Sequence, residues 1–290
     1  MTVSLSHIAL VLVCCVAGSG EAQAQAPPPA ATATAAVAAA KAQEDDPDRD
    51  LNKAQPDFGL ATLATNLRMP RHKMVFRMTH RFARPLGTGD FGDLVDNFFG
   101  FDSGALIGLE LRYGLIRGGQ IGIQRTSDRT IQFFGQYELK SQRSFPVGIS
   151  VLGTAEGTDN FRDSYSPGLV AVISREIGDR AAIYVEPAWV NNSNPRPKEL
   201  VDDNDTTMVG LGARLRVRRS TYLVVEASPR VAGYDPGVTQ VSFGIEQQAG
   251  GHLFQINFSN GIGTTLANVA RGGTARDDWY IGFNLSRKFF

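Results

Sequence analysis

The sequence predicts an all-β chain: a transmembrane antiparallel up-and-down β-barrel of about twelve strands, preceded by an N-terminal signal peptide and a disordered linker. Three observations predict it. Apolar and polar residues alternate with period two from Met74 to the chain end, the pattern of strands with two unlike faces. Most alternating runs are ~10–13 residues, longer than the ~5–6 of ordinary strands and suited to a tilted membrane strand of ~9–11. All five connections on one side are short and four of the six on the other are long, as in outer-membrane barrels, whose turns are short on the periplasmic side and longer outside.

The chain of 290 residues opens with an apolar stretch from Ile8 to Ala17, followed by Ala22-Gln23-Ala24. This is the apolar core and cleavage triplet of a secretory signal, with cleavage expected after Ala24 and a weak positive element, since only His7 and the amino terminus precede it. The apolar stretch is too short for a spanning helix, which needs ~20 residues. Both cysteines, Cys14 and Cys15, fall inside this segment, so the exported chain has neither a disulfide nor a cysteine metal site. Residues 25–56 are Ala, Pro, Thr and Gln followed by the acidic run Glu44-Asp45-Asp46-Pro47-Asp48; such a composition reads as a disordered linker. Lys plus Arg (29) balance Asp plus Glu (29), which leaves no general attraction to nucleic acid.

Twelve runs follow, at 73–84, 104–113, 119–126, 130–140, 146–156, 165–176, 180–190, 206–218, 221–232, 238–248, 251–260 and 278–289. In the last, Trp279, Ile281, Phe283 and Leu285 share one face, and Tyr280, Gly282, Asn284, Ser286 and Lys288 share the other. If the first run leaves the periplasm at Lys73, the outer loops are 85–103, 127–129, 157–164, 191–205, 233–237 and 261–277. The five inner turns, 114–118, 141–145, 177–179, 219–220 and 249–250, are all short, and both chain ends lie in the periplasm. Residues 57–72 stand outside this parity and are expected to form a periplasmic lead-in or a piece tucked into the barrel mouth.

A soluble barrel shows the same alternation with its faces reversed. Strand length, loop parity, the export signal and the aromatic end Phe289-Phe290 favour the membrane arrangement, with apolar residues outward and polar ones lining a lumen. Tyr113, Tyr165, Trp189, Tyr222, Trp279 and Phe289, near strand ends, are candidates for interface girdles.

Four strings resemble a family of predicted bacterial outer-membrane β-barrel proteins that carries no assigned activity. They are Phe76-Arg77-Met78-Thr79-His80-Arg81-Phe82, Asn97-Phe98-Phe99-Gly100-Phe101-Asp102, Gly250-Gly251-His252-Leu253-Phe254-Gln255-Ile256-Asn257-Phe258-Ser259-Asn260, and Ile281-Gly282-Phe283-Asn284-Leu285-Ser286-Arg287. The resemblance spans nearly all of 58–290 and implies the barrel and the outer membrane; it brings no catalytic residues to carry over.

By phase, the first runs place Arg77, Arg81, Glu110 and Arg112 on the lumen side, and later runs add Glu186, Arg214, Arg216 and Arg218, then Glu226 and Arg230. The set is mostly basic, so an open lumen would favour anions; alternatively, Arg and Glu pair across a narrow interior and close it. Loop 85–103 is too apolar for a free exterior loop, and Phe91, Phe98, Phe99 and Phe101 are expected to turn inward as a constriction or to pack on the rim. Asp202-Asp203-Asn204-Asp205 matches no calcium-loop spacing and reads as a solvated hairpin tip. No G-x-S-x-G, H-E-x-x-H or phosphate-binding glycine loop is present, and no cofactor is implied.

Three functions remain open at this level: a porin-like channel for small solutes, a closed barrel serving as an anchor or interaction module, and a lipid-face hydrolase drawing on His80 or His252. Expected partners are outer-membrane lipid, the barrel-assembly machinery and a periplasmic protein held by the linker.

Overall fold

The computed structural model describes residues 47–49, 51–194, 204–234 and 237–290; the expected signal peptide and most of the expected linker lie outside them. The strands are β1 (Met74–Phe82), β2 (Ala105–Ile116), β3 (Gly119–Thr126), β4 (Ile131–Lys140), β5 (Gly148–Gly157), β6 (Asp163–Ile177) and β7 (Ala181–Val190). They continue with β8 (Thr206–Arg216), β9 (Thr221–Ser228), β10 (Arg230–Gly233), β11 (Gln240–Ala249), β12 (His252–Ser259) and β13 (Tyr280–Lys288). Consecutive strands pair antiparallel except at β10, and β1 pairs with β13 (Thr79 opposite Asn284, Phe76 opposite Arg287). The sheet therefore closes on itself.

β9 and β10 are two halves of one stave, which makes twelve staves, as the alternation predicts. The break falls at Pro229, which has no N–H for the ladder. β9 pairs with both β8 and β11, whereas β10 pairs with β8 alone, with a register shift between Arg230 and Ala232. Such bulges bend a strand and release pairing near a rim.

Side-chain direction follows the predicted phase. Leu109, Leu111, Ile183, Leu211, Val225 and Ile256 project outward and stay exposed, while Gln120, Gln136, Ser174, Glu226, Asn257 and Ser286 are buried inside. The apolar surface thus needs hydrocarbon around it. Of the girdle candidates, Tyr165 and Trp189 stand exposed at the mouth opposite the chain termini, and Phe289 at the terminal mouth. Tyr222 does not join them: its phase is that of Val224 and Glu226, and it is buried inside.

The inner face is not uniformly polar. Leu152, Val170, Val172, Ala188 and Val190 form an apolar sector inside β5 to β7. The continuous run Leu169-Val170-Ala171-Val172-Ile173 signals it, because a strand covered on both faces loses its alternation.

Candidate functional site

Two chain segments occupy the lumen, one from each mouth. Residues 51–69 enter at the mouth where β1 begins, and Ala54, Phe58, Leu60, Leu63, Leu67 and Met69 are buried there. Residues 51–56, expected as linker, thus belong to the inserted segment, and of the two readings of 57–72 the burial agrees with the piece tucked into the barrel mouth and not with the periplasmic lead-in: apolar side chains spaced along 54–69 bury themselves against the wall. From the other mouth the Leu266–Arg271 helix inserts Ala267, Val269 and Ala270 into the apolar sector. Thr265 caps it by accepting from the Asn268 N–H, and Leu266 N–H donates to Gln132 at 2.9 Å.

Residues 57–65 form a tight hairpin with Gly59 opposite Ala64, and Leu60 N–H donates to the Leu63 carbonyl at 2.8 Å. A backbone reversal inside a barrel leaves polar groups that no ladder satisfies, and each needs a partner. The wall supplies them by charge. Arg214 donates to the Gly59 carbonyl at 2.7 Å, and Arg77 donates to Leu60 and, at 3.2 Å, to Ala61. Arg81 (3.3 Å) and Asn284 (3.1 Å) also donate to Ala61. On the opposite polarity, the Glu226 carboxylate accepts the N–H groups of Thr62 (3.0 Å) and Leu63 (3.1 Å) and the Thr62 hydroxyl. Charge-assisted bonds of this kind are stronger than neutral ones. Below the hairpin, Gln136 donates to Thr65 at 2.7 Å, Gln120 to Leu67 at 3.0 Å and Lys288 to Pro56 at 2.8 Å.

The predicted lumen residues thus separate into groups. Arg77, Arg81, Arg112, Glu186, Arg214 and Glu226 are buried inside, and Glu110 is half-buried beside Arg112 at 3.0 Å. Arg216 is half-buried at the terminal mouth, where it donates to the Arg219 carbonyl, and Arg218 is exposed there. Arg230 sits near the other mouth, beside Gly272. Pairing across the lumen is not what fills it: four of these charges, Arg77, Arg81, Arg214 and Glu226, bond the hairpin backbone. Besides Arg112 with Glu110, Arg214 pairs inside with Glu246, at 2.8 Å and with neither side chain accessible.

Glu246 was legible, since it shares the phase of Gln240 and Ser242, and so was Glu156 with Ser150 and Thr154. With both acids inside and Arg216 and Arg218 at the mouth, the basic excess expected for the lumen does not form.

Loop 85–103 does not constrict the lumen. Phe91 is 74% exposed and Phe98 62%, Phe99 and Phe101 are also exposed, and Phe101 packs on the outward-facing Phe82 at 4.4 Å between centroids. The lumen is already occupied, so the loop's apolar residues find room only outside. Asp202 and Asp203 lie outside the described residues, while Asp205 accepts from the Trp189 indole at 3.1 Å and from Asn191. His80 faces outward, stacked on Phe283 at 4.8 Å, and His252 meets Arg287 at 3.1 Å; each has aromatic or cationic neighbours.

Where hairpin and helix meet, a cavity of about 60 Å³ remains, lined by Thr62, Arg77, Glu186, Gln132 and Thr264 among others. Small-molecule sites typically need ~300–1,000 Å³, so this space suits a few waters. A second crevice of about 480 Å³ opens at the terminal mouth between Asn52, Arg68, Glu138 and Glu176; there Arg68 pairs with Glu138 and Asp48, and Asn52 and Gln55 both donate to Glu176.

Gly212 on the inner wall makes room for the hairpin: a Cβ there would lie 2.4 Å from Leu60 Cδ1. Gly212→Val is expected to lower the seating of the hairpin by ~1–3 kcal/mol, the usual range for overpacking. Faster tryptic cleavage after Arg68, with the barrel still heat-modifiable on gels, is the expected readout.

The family described as membrane bound beta barrel domain (DUF5777) matches residues 58–289. No curated protein matches the chain. Among solved structures, the chain is similar to the COG4313 outer membrane channel from Pseudomonas putida F1 at 10% identity and a TM-score of 0.46, over 76% of this chain and 97% of that one. It is similar to outer membrane phospholipase A from Escherichia coli at 10% identity and 0.38, over 75% and 90%. A mutant Rh. blastica porin gives 13% identity and 0.34, over 69% and 58%.

Proposed function

We propose, on the premise that the chain belongs to the family of membrane-bound β-barrel domains, that it is an outer-membrane channel held shut by its own N-terminal segment. Export is supported by the Ile8 to Ala17 stretch and the Ala22-Gln23-Ala24 triplet, and the terminal mouth then opens to the periplasm. The observation that carries the channel reading is the use made of the wall charges: Arg77, Arg81 and Glu226 bond the hairpin backbone and not one another. All of these bonds are noncovalent, so withdrawal of residues 51–69 uncovers the charged side chains of the wall beside the apolar sector that the Leu266–Arg271 helix still covers. Arg77, Arg81, Arg112, Arg214 and Lys288 then face Glu156, Glu186, Glu226 and Glu246, a near balance that suits small polar solutes with weak charge selection.

A closed anchor is the second reading, favoured by the filling of the lumen from both mouths. Planar-bilayer recording separates the two. The parent chain is expected to open rarely, and the double variant Arg77→Ser/Glu226→Ser to conduct often, with a reversal potential near zero in a salt gradient. Silence of both proteins, with heat-modifiable mobility retained, supports the anchor and refutes the channel.

A further inference from the structure

The loop between β1 and β2 carries a surface that lumen closure does not use. Its Phe91–Asp96 helix starts at Asp90, whose carboxylate accepts the Asp93 N–H, and none of its residues is buried. Within it Phe91, Leu94 and Val95 follow the i, i+3, i+4 spacing of one helical face, while Asp93 and Asp96 occupy the other. A short helix with one apolar and one acidic face, lying free of any core, has the form of an interfacial element.

The chain then turns sharply. Phe98 (φ 46°) and Phe99 (φ 56°) both take left-handed backbone conformations, followed by Gly100 (φ 88°). Bulky residues rarely adopt these angles, and here they set aromatic rings side by side: Phe98 lies 6.5 Å from Phe99 and 5.5 Å from Phe101. The series continues onto the barrel wall through Phe82, 4.4 Å from Phe101, and then His80 at 4.3 Å and Phe283 at 4.8 Å beyond it. Beneath Phe101 the wall holds an apolar groove of about 440 Å³ between Phe82, Phe254, Ile256, Ile281 and Phe283.

We infer that loop residues 91–101 lie in the outer leaflet, with Phe91, Val95, Phe98 and Phe99 among acyl chains and one chain seated in the groove under Phe101. The exposed rings are continuous with the belt that already faces hydrocarbon, and no break of polar residues separates Phe101 from Phe82. By helical phase Asp93 and Asp96 stand on the side away from Phe91 and Val95, which leaves the helix one polar side for the headgroup level. The inference does not depend on whether the lumen opens.

The test uses the full chain carrying Cys14→Ser and Cys15→Ser, which removes its two cysteines. A nitroxide is then attached singly at Phe98→Cys, Val95→Cys or Asp96→Cys in phosphatidylcholine vesicles. All three sites are exposed, and heat-modifiable mobility checks that each labelled barrel is folded. The ratio of oxygen to nickel-chelate collision rates is expected to be severalfold higher at 98 and 95 than at 96. Equal ratios at the three sites would place the loop in water and overturn the inference. A defined copy-to-copy distance between labels at 98 would also overturn it, because a second copy of the chain would then cover the patch.

Discussion

Arg214→Ala is expected to destabilise the barrel by ~3–5 kcal/mol, the range for removing one partner of a buried ion pair. The guanidinium holds both Glu246 oxygens, at 2.8 and 2.9 Å, and the Gly59 carbonyl at 2.7 Å. Its loss strands a carboxylate inside the barrel and frees the base of the hairpin together. Urea unfolding in phospholipid vesicles would measure the first effect, and tryptic cleavage after Arg68 the second. The double variant Arg214→Met/Glu246→Leu separates them. With no charge left stranded, stability should return to within about 1–2 kcal/mol of the parent, whereas cleavage after Arg68 should stay fast. If the double variant were as unstable as the single, the ion pair would not be the cause.

Val225→Arg should lower stability by ~2–4 kcal/mol, as cationic side chains do at the hydrocarbon midplane of a barrel. Val225 points outward from β9, near the middle of its stave, and is half exposed. On a water-facing surface the same substitution would move stability by only roughly ±0.5 kcal/mol. Arginine at an outer-rim position such as Val231, 61% exposed in β10, should be far milder, since the penalty falls toward the interface. A flat profile across the two positions in vesicle unfolding would contradict the hydrocarbon-facing assignment of the outer wall.

The barrel was legible because period-two alternation fixes both strand extent and facing: every alternating run reappears as a stave, with ends moved by at most about three residues, the usual error at boundaries. The filling of its interior was not legible in the same way. Leu60 and Leu63 show that 57–72 is apolar, but apolarity does not say which wall receives it; the inner-wall spaces at Gly210 and Gly212, which receive Leu63 and Leu60, become visible only once the strands are closed. Arg77, Arg81 and Glu226 stand on the inner face, where their phase puts them, yet most of their partners are backbone groups of another segment, and alternation carries no information about those. Loop 85–103 left two readings open, inward constriction or packing on the rim, for a related reason, and Phe101 on Phe82 agrees with the second. Its phenylalanines require an apolar place, and a membrane protein offers one outside as well as inside.

The hairpin's anchors have a bearing on assembly. Arg77 and Arg81 belong to β1, whereas Asn284, Ser286 and Lys288 belong to β13, and Arg81 reaches Asn284 at 2.9 Å. These two strands are the most distant in sequence, so their seam is the costliest in chain entropy to join and zips late. A segment made before either strand and gripping both acts as a splint across that seam. A chain starting at residue 73 is therefore expected to acquire compact gel mobility more slowly during refolding into detergent, even where its final mobility matches that of the parent.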